Sequence, residues 1–305
     1  MNNLGYCCIC LGINDKKPKK DHVLVNRGMI KKTFETRGLD YVSELVILNL
    51  NDLSKIIDYN IENNIYLYRM SSDMFPWLTH YDIKKLPKFN IIKNILKKIG
   101  QKIISNNIRV SFHAPPFCVI ASENENVVRN SIDELNKHSE IMDIMGLEQS
   151  TYYPINVHIN STKPNKESAC NRFCKEFYNL SESCQKRLTV ENDDSINQYS
   201  VKYLFDNVYK KISIPIVFDQ HHFKYGTQEQ TIEESLKTAL STWTTKPLTH
   251  ISSSKCIEDL KSTPTAHADY IYEEIVTFNM EFDIEIEAKK KDLALLKYRK
   301  EFNTL

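Results

Sequence analysis

The sequence predicts an α/β protein folded as a single closed (β/α)₈ barrel, the TIM-barrel architecture, over residues 1–305. Three observations lead there. Short apolar runs alternate with longer amphipathic segments eight times, and strands alternating with helices imply a parallel sheet. The length suits one such barrel, roughly 250 residues plus insertions. No low-complexity tract or linker interrupts the rhythm, so one domain is the simplest count.

The elements follow in order. Residues 4–11 form an apolar run that reads as the first strand. Residues 43–63 place Leu45, Leu48, Leu53, Ile56 and Ile57 at helical spacing. Residues 65–70 alternate β-branched and aromatic side chains, a strand signal. Helices are then expected at 90–105, 126–145 and 167–181, with strands at 108–113, 155–158 and 187–191. The second half predicts helices at 198–210, 228–243, 268–278 and 289–299, with strands at 214–219, 247–251 and 282–287.

Composition excludes several classes. Hydrophobic residues are 41% and charged residues 26%, as in ordinary globular proteins able to bury a core without disulfides. Lys and Arg total 40 against 39 Asp and Glu, a net charge of +1. A nucleic-acid face must therefore be a local patch. Cys7, Cys8 and Cys10 fall in an apolar run, and Cys170, Cys174 and Cys184 along a helical stretch. That is not the paired spacing of a zinc ribbon, and reduced thiols point to an intracellular, soluble protein. Neither a signal peptide nor an apolar run of about 18 residues is present, so no membrane partner is expected.

The polar residues carry the functional signal. Six apolar strands run into metal-competent side chains: His113, His158, Glu191, Asp219, His250 and Glu287. In this fold the C-terminal strand ends form the active-site face, so these distant residues should converge. A carboxylate there could be only a helix cap, but histidine is a poor cap, and three histidines share the pattern. Nearby, His222 lies three residues after Asp219, His267 follows the seventh strand, and His80 follows the second. Mixed imidazole and carboxylate donors suit Mn²⁺, Zn²⁺, Fe²⁺ or Mg²⁺, and so many donors imply two or three ions. Such a cluster suits phosphodiester hydrolysis. Glu191 or Glu287 has the two oxygens needed to bridge ions. Lys289, two residues past Glu287, could meet a phosphate.

In series, several segments give the chain its family likeness. They are Leu4-Gly5-Tyr6, Asn49-Leu50-Asn51-Asp52-Leu53, Tyr68-Arg69-Met70-Ser71-Ser72-Asp73, Ser111-Phe112-His113 and Asn156-Val157-His158. Val190-Glu191-Asn192-Asp193-Asp194, Phe218-Asp219-Gln220-His221-His222, His250-Ile251-Ser252-Ser253, His267-Ala268-Asp269 and Ile286-Glu287-Ala288-Lys289 complete them. Together they resemble the UV-damage endonuclease family, from residue 4 to about residue 300. The resemblance implies a barrel similar to endonuclease IV and a metal cluster, usually manganese. It implies ATP-independent nicking 5′ of cyclobutane dimers, 6-4 photoproducts and often abasic sites in double-stranded DNA, without a nucleotide cofactor. It places metal ligands at His80, His113, His158, Glu191, Asp219, His222, His250, His267 and Glu287, and catalytic roles at Glu191, Glu287, His250 and Lys289. DNA contacts fall at Tyr6, Arg69, Pro116 and Phe117, and a monomer is expected.

Three departures stand out. The family's Pro-Gly-Gln-aromatic segment after the third-strand histidine is Ala114-Pro115-Pro116-Phe117 here, which keeps an aromatic wedge but loses the polar probe. Gly-Gly after the fourth-strand histidine is replaced by Ile159-Asn160-Ser161, and the usual lysine two residues before the seventh-strand histidine is Leu248. The competing readings are another metal-dependent barrel enzyme, such as an abasic-site endonuclease or sugar isomerase, and a non-catalytic binder of damaged DNA.

Overall fold

The computed structural model describes residues 2–302. Eight parallel strands close a barrel in sequence order: β1 Leu4–Cys7, β2 Leu67–Arg69, β3 Arg109–His113, β4 Ile155–Val157, β5 Leu188–Glu191, β6 Ile216–Asp219, β7 Leu248–Ile251 and β8 Asp283–Ile286. Closure is made where Leu4, Gly5 and Tyr6 pair with Ile284, Glu285 and Ile286. At Gly5 a side chain would press within 2.5 Å of the Leu67 carbonyl, so glycine lets β1 and β2 approach.

Ten helices accompany the strands among the described residues: α1 Lys31–Glu62, α2 Phe89–Ser105, α3 Glu125–Met145, α4 Lys166–Phe177, α5 Glu182–Gln185, α6 Val201–Leu204, α7 Lys210–Ile212, α8 Gln220–Tyr225, α9 Ile232–Leu240 and α10 Lys291–Phe302. Local chemistry sets their ends. Asn124 caps α3 by accepting from the Asn126 amide, and Gly146, at φ 81°, ends it in the left-handed region. Thr231 and Glu234 form a capping box on α9. The core lies between barrel and helices, where Leu50, Leu53, Ile57, Ile99, Ile103 and Leu135 are fully buried.

All eight strands fall within the ranges expected from sequence, shortened by a residue or more at one or both ends. The helices depart more. The first begins at Lys31 rather than near residue 43, across a break at Gly38, because its early turns are largely exposed and carry no apolar stripe. The helix expected at 198–210 splits into α6 and α7 around a π-helical turn. The helix expected at 268–278 is absent. Its backbone is committed elsewhere: Ala268 N–H donates to Ser253 O, and the Ala268 and Asp269 carbonyls accept from the Lys289 and Lys290 amides. These bonds tie the segment to the chain leaving β7 and β8.

Candidate metal centre

The strand register brings the polar strand ends together. His113 pairs with Asn156, Asp219 with His250, and Ile251 with Ile286 one step before Glu287. Glu191, on β5, is at the centre and fully buried. Its Oε2 is 2.9 Å from His250 Nδ1, 3.2 Å from His113 Nε2 and 3.7 Å from His158 Nε2. Its Oε1 is 3.0 Å from His222 Nδ1. Three interlocking triads can each hold a cation: His113, His158 and Glu191; Glu191, Asp219 and His222; Asp219, His250 and Glu287.

Unsatisfied atoms support cation binding. Glu191 Oε1, Asp219 Oδ2 and His250 Nδ1 are buried and make no well-directed hydrogen bond, although His222 Nδ1 is 3.0 Å from the first and Glu191 Oε2 is 2.9 Å from the last. Buried polar atoms are almost always paired, and all three belong to residues of the triads. Each is a hard or borderline donor fitted to a divalent cation.

Supporting groups orient the ligands. His158 Nδ1 is 2.8 Å from Asp193 Oδ1, leaving Nε2 for the centre. His113 Nδ1 donates to Ala114 O at 2.9 Å, and His267 Nδ1 to Glu287 O at 2.7 Å. Asp219 Oδ1 caps α8 by accepting from the His222 amide, which leaves Oδ2 available. A side chain at Gly226 would meet the Asp193 carbonyl at 2.4 Å, so only glycine permits α8 to end against the loop that carries Asp193.

The electrostatics follow from this crowding. Burial lowers the His113 imidazole and outweighs Glu191 beside it. Burial would also lower His158, but Glu191 and Asp193 raise it. His250 rises to about 10, because Glu191 overcomes burial and the nearby Arg69 charge. Glu191 opposes its own burial through His250, His158, His113 and His222, and lies well below the usual carboxylate range. Glu287 is held low against burial by Arg69 and His250. Glu191 and Glu287 are therefore ionised at neutral pH.

Several expected site residues stand elsewhere. His80 is in none of the triads. The loop after β2 turns through Trp77, at φ 60°, and sets the His80 ring edge-on to Trp77 at 5.0 Å and to Phe34 at 5.8 Å. Tyr6 cannot face DNA: it is fully buried, and its hydroxyl donates to Asn60 Oδ1 on α1 at 2.8 Å. Arg69 is also enclosed, at 6% exposure, and its guanidinium serves Glu285, Glu287 and His250. His267 is beside the triads, 3.7 Å from Glu287 Oε2. Lys289, Pro116 and Phe117 are exposed, Phe117 by 70%.

The sequence reading missed Glu285, Asn156 and Ser111. Asn156 donates to Glu191 Oε2, and Ser111 to Glu285 Oε1. Their available signal was position: each is two residues before a predicted ligand on the same strand face. The departure at Asn160 has a structural answer. Its φ is 55°, a left-handed backbone that asparagine tolerates better than other residues bearing a side chain. Leu248, at the family's lysine position, is fully buried.

Comparison with known proteins adds independent information. The profile of the family described as UV-endonuclease UvdE matches residues 2–305. The UV DNA damage endonuclease of Bacillus cereus strain G9842 is 31% identical over 312 aligned positions, covering 99% of this chain and 94% of the relative. The Bacillus anthracis strain A0248 protein of the same name is 30% identical over the same coverage. The crystal structure of SacUVDE superposes with a TM-score of 0.87 at 28% identity, covering all of both chains. Endonuclease IV from Thermus thermophilus gives 0.58 at 13% identity, with 83% of this chain and 94% of that one covered, a likeness of fold alone. With the profile spanning residues 2–305 and the curated relatives matched along nearly their whole length, the chain belongs to the UV-endonuclease UvdE family.

Proposed function

We propose that this enzyme nicks double-stranded DNA on the 5′ side of UV photoproducts, and of abasic sites, as a monomer using two or three divalent ions, with manganese preferred over magnesium or zinc. The observation that carries the reading is the set of three interlocking ligand triads around Glu191, in which the buried Glu191 Oε1, Asp219 Oδ2 and His250 Nδ1 make no well-directed hydrogen bond. Ions held there supply the Lewis acidity that activates water and offsets charge on a phosphodiester.

The chain's own groups divide the remaining work. Glu191 belongs to two triads, with Oε2 toward His113 and His158 and Oε1 toward His222, so it would bridge ions held in them. Glu287 Oε1 is 2.5 Å from Arg69 and 3.5 Å from His250 Nδ1, and Oε2 is 3.7 Å from His267 Nδ1, so Arg69 orients this carboxylate beside the third triad. His113 and His158 present Nε2 because their Nδ1 atoms are engaged. His250 completes the third triad. Lys289, exposed two residues after Glu287, is placed to pair with a backbone phosphate. Phe117 is the wedge at a lesion-weakened step, and Pro116 stiffens its loop without offering an N–H.

Incision of defined duplexes tests the proposal. Substrates would be undamaged, abasic or carry one cyclobutane dimer, with manganese present and the cut mapped on both strands. Cleavage 5′ of the dimer supports the reading. Equal cleavage of undamaged DNA, or turnover of an aldose control instead, overturns it.

A further inference from the structure

Glu285 is a buried acid that the function above leaves unused. It is on β8 two residues before Glu287, in the layer beneath the triads, with no exposure to solvent. Its Oε1 accepts from Ser111. Its Oε2 is 2.6 Å from Arg69 Nε and 3.3 Å from His250 Nε2. β2 and β8 are not hydrogen-bonded neighbours, so Arg69 and Glu285 meet across the barrel interior.

The two groups make opposite demands on His250. Arg69 Nη2 is 2.8 Å from His250 Nε2, and a guanidinium can only donate. Facing Arg69 alone, Nε2 would keep its lone pair and the ring hydrogen would sit on Nδ1. That tautomer cannot bind a cation through Nδ1, the atom that faces Glu191 and Glu287 at 2.9 and 3.5 Å. A carboxylate beside Nε2, here 3.3 Å away, opposes that preference, because it can accept an N–H there when a cation takes the Nδ1 lone pair. Metal-bound histidines commonly give their second N–H to such a carboxylate.

We propose that Glu285 is a positioning residue: it accepts the His250 Nε2 hydrogen, so that the Nδ1 lone pair faces the ions. Through its pair with Arg69 it also holds the guanidinium that anchors Glu287 Oε1, fixing how that carboxylate is turned. The inference rests on the metal-dependent reading above.

The test compares wild type, Glu285→Gln and Ser111→Ala. Manganese affinity is measured by electron paramagnetic resonance of unbound Mn²⁺, lesion-duplex binding in chelator, and nicking as separate kcat and KM. Glu285→Gln is expected to weaken manganese binding about 10- to 100-fold. It should lower kcat rather than raise KM, regain rate in excess manganese, and leave chelator-state DNA binding and the circular dichroism spectrum unchanged. Ser111→Ala removes one hydrogen bond to Glu285 and leaves no charge unpaired. It should shift manganese affinity in the same direction by less, and it decides the matter if the glutamine variant does not fold. Manganese affinity equal to wild type in the folded variants overturns the role. So does a loss of DNA binding and melting temperature in step with affinity. A wild-type protein that binds no manganese and nicks nothing would instead remove the parent reading.

Discussion

Truncating Phe117 to alanine separates what the fold needs from what a damaged duplex needs. The side chain is seven-tenths exposed on the loop after β3. It borders a cavity of about 430 Å³ that Trp77, His80 and Glu134 also line. A covered aromatic side chain buries roughly 150–250 Å², so roughly 100–180 Å² of this one remains for DNA. At about 25 cal/mol per Å² that is a ceiling of roughly 2.5–4.5 kcal/mol. Ordering of the loop and unstacking of bases reduce it to the ~1–3 kcal/mol seen when aromatics stack on nucleic acid. Affinity for a duplex with one cyclobutane dimer should therefore fall about 5- to 150-fold. Undamaged duplex, whose stack resists the wedge, should be bound nearly as before. Fluorescence anisotropy in chelator isolates binding from cleavage. Thermal melting should move little, since the already buried share is at most ~2 kcal/mol. Equal affinity of wild type and variant for the lesion duplex refutes the wedge, and an equal loss on both duplexes reduces Phe117 to a general contact.

The other expectations concern the centre and one remote acid. Glu191→Gln weakens two triads at once, so nicking of UV-irradiated plasmid should fall by at least about 10³, the several kcal/mol that ion stabilisation supplies; lesion binding should persist, and a retained rate would refute the bridging role. Dialysis against chelator should abolish nicking and added Mn²⁺ should restore it. Elemental analysis should then find more than one ion per chain, whereas fewer than one would favour a non-catalytic binder. Glu134, inside α3, is raised to about 7 by burial first and by the charge of Asp133 second. Its folded-state value exceeds its unfolded one, so its stability contribution is whole below about pH 4 and is lost as pH rises through 7. Glu134→Gln should match wild type in melting near pH 4 and gain on it near pH 8, by roughly 3 kcal/mol at most; a pH-independent difference would contradict the burial argument.

Sequence periodicity exposed the barrel because doubly covered parallel strands are short, almost wholly apolar runs. A His or acid ending such a run has few structural uses, which made Glu191, Asp219, His250 and Glu287 legible. Glu285 was hidden by the same logic. Asp283-Ile284-Glu285-Ile286-Glu287 alternates like a half-solvated strand, yet Asp283 and Glu285 are fully buried and point inward at arginines. Arg69 was misread because guanidinium partners from β8 cannot be inferred from β2 alone. His80 shares its residue type with the ligands, but its position depends on the loop through Trp77, which carries no periodic signal. The missing helix at 268–278 failed for a related reason: its pairing partners, Ser253, Lys289 and Lys290, are remote in sequence.

The inward acids of β8 explain how one interior can be both well folded and hungry for cations. At the lower end, Asp283 is balanced by Arg109 at 3.1 Å and Lys246 at 2.6 Å. One layer up, Glu285 is balanced by Arg69. At the mouth, Glu191, Asp219 and Glu287 crowd together with histidines, and of these acids Arg69 pairs with Glu287. Acid paired chiefly with imidazoles is thus confined to the mouth. A buried charge is tolerated when paired and is costly when alone, so the lower pairs let the strands close without metal. At the mouth the imidazoles take the place of those arginines and lysines, and they are also donors that a divalent ion would take up. Arg69, paired with Glu285, also holds Glu287 Oε1 at 2.5 Å, so the layer beneath orients a carboxylate of the mouth.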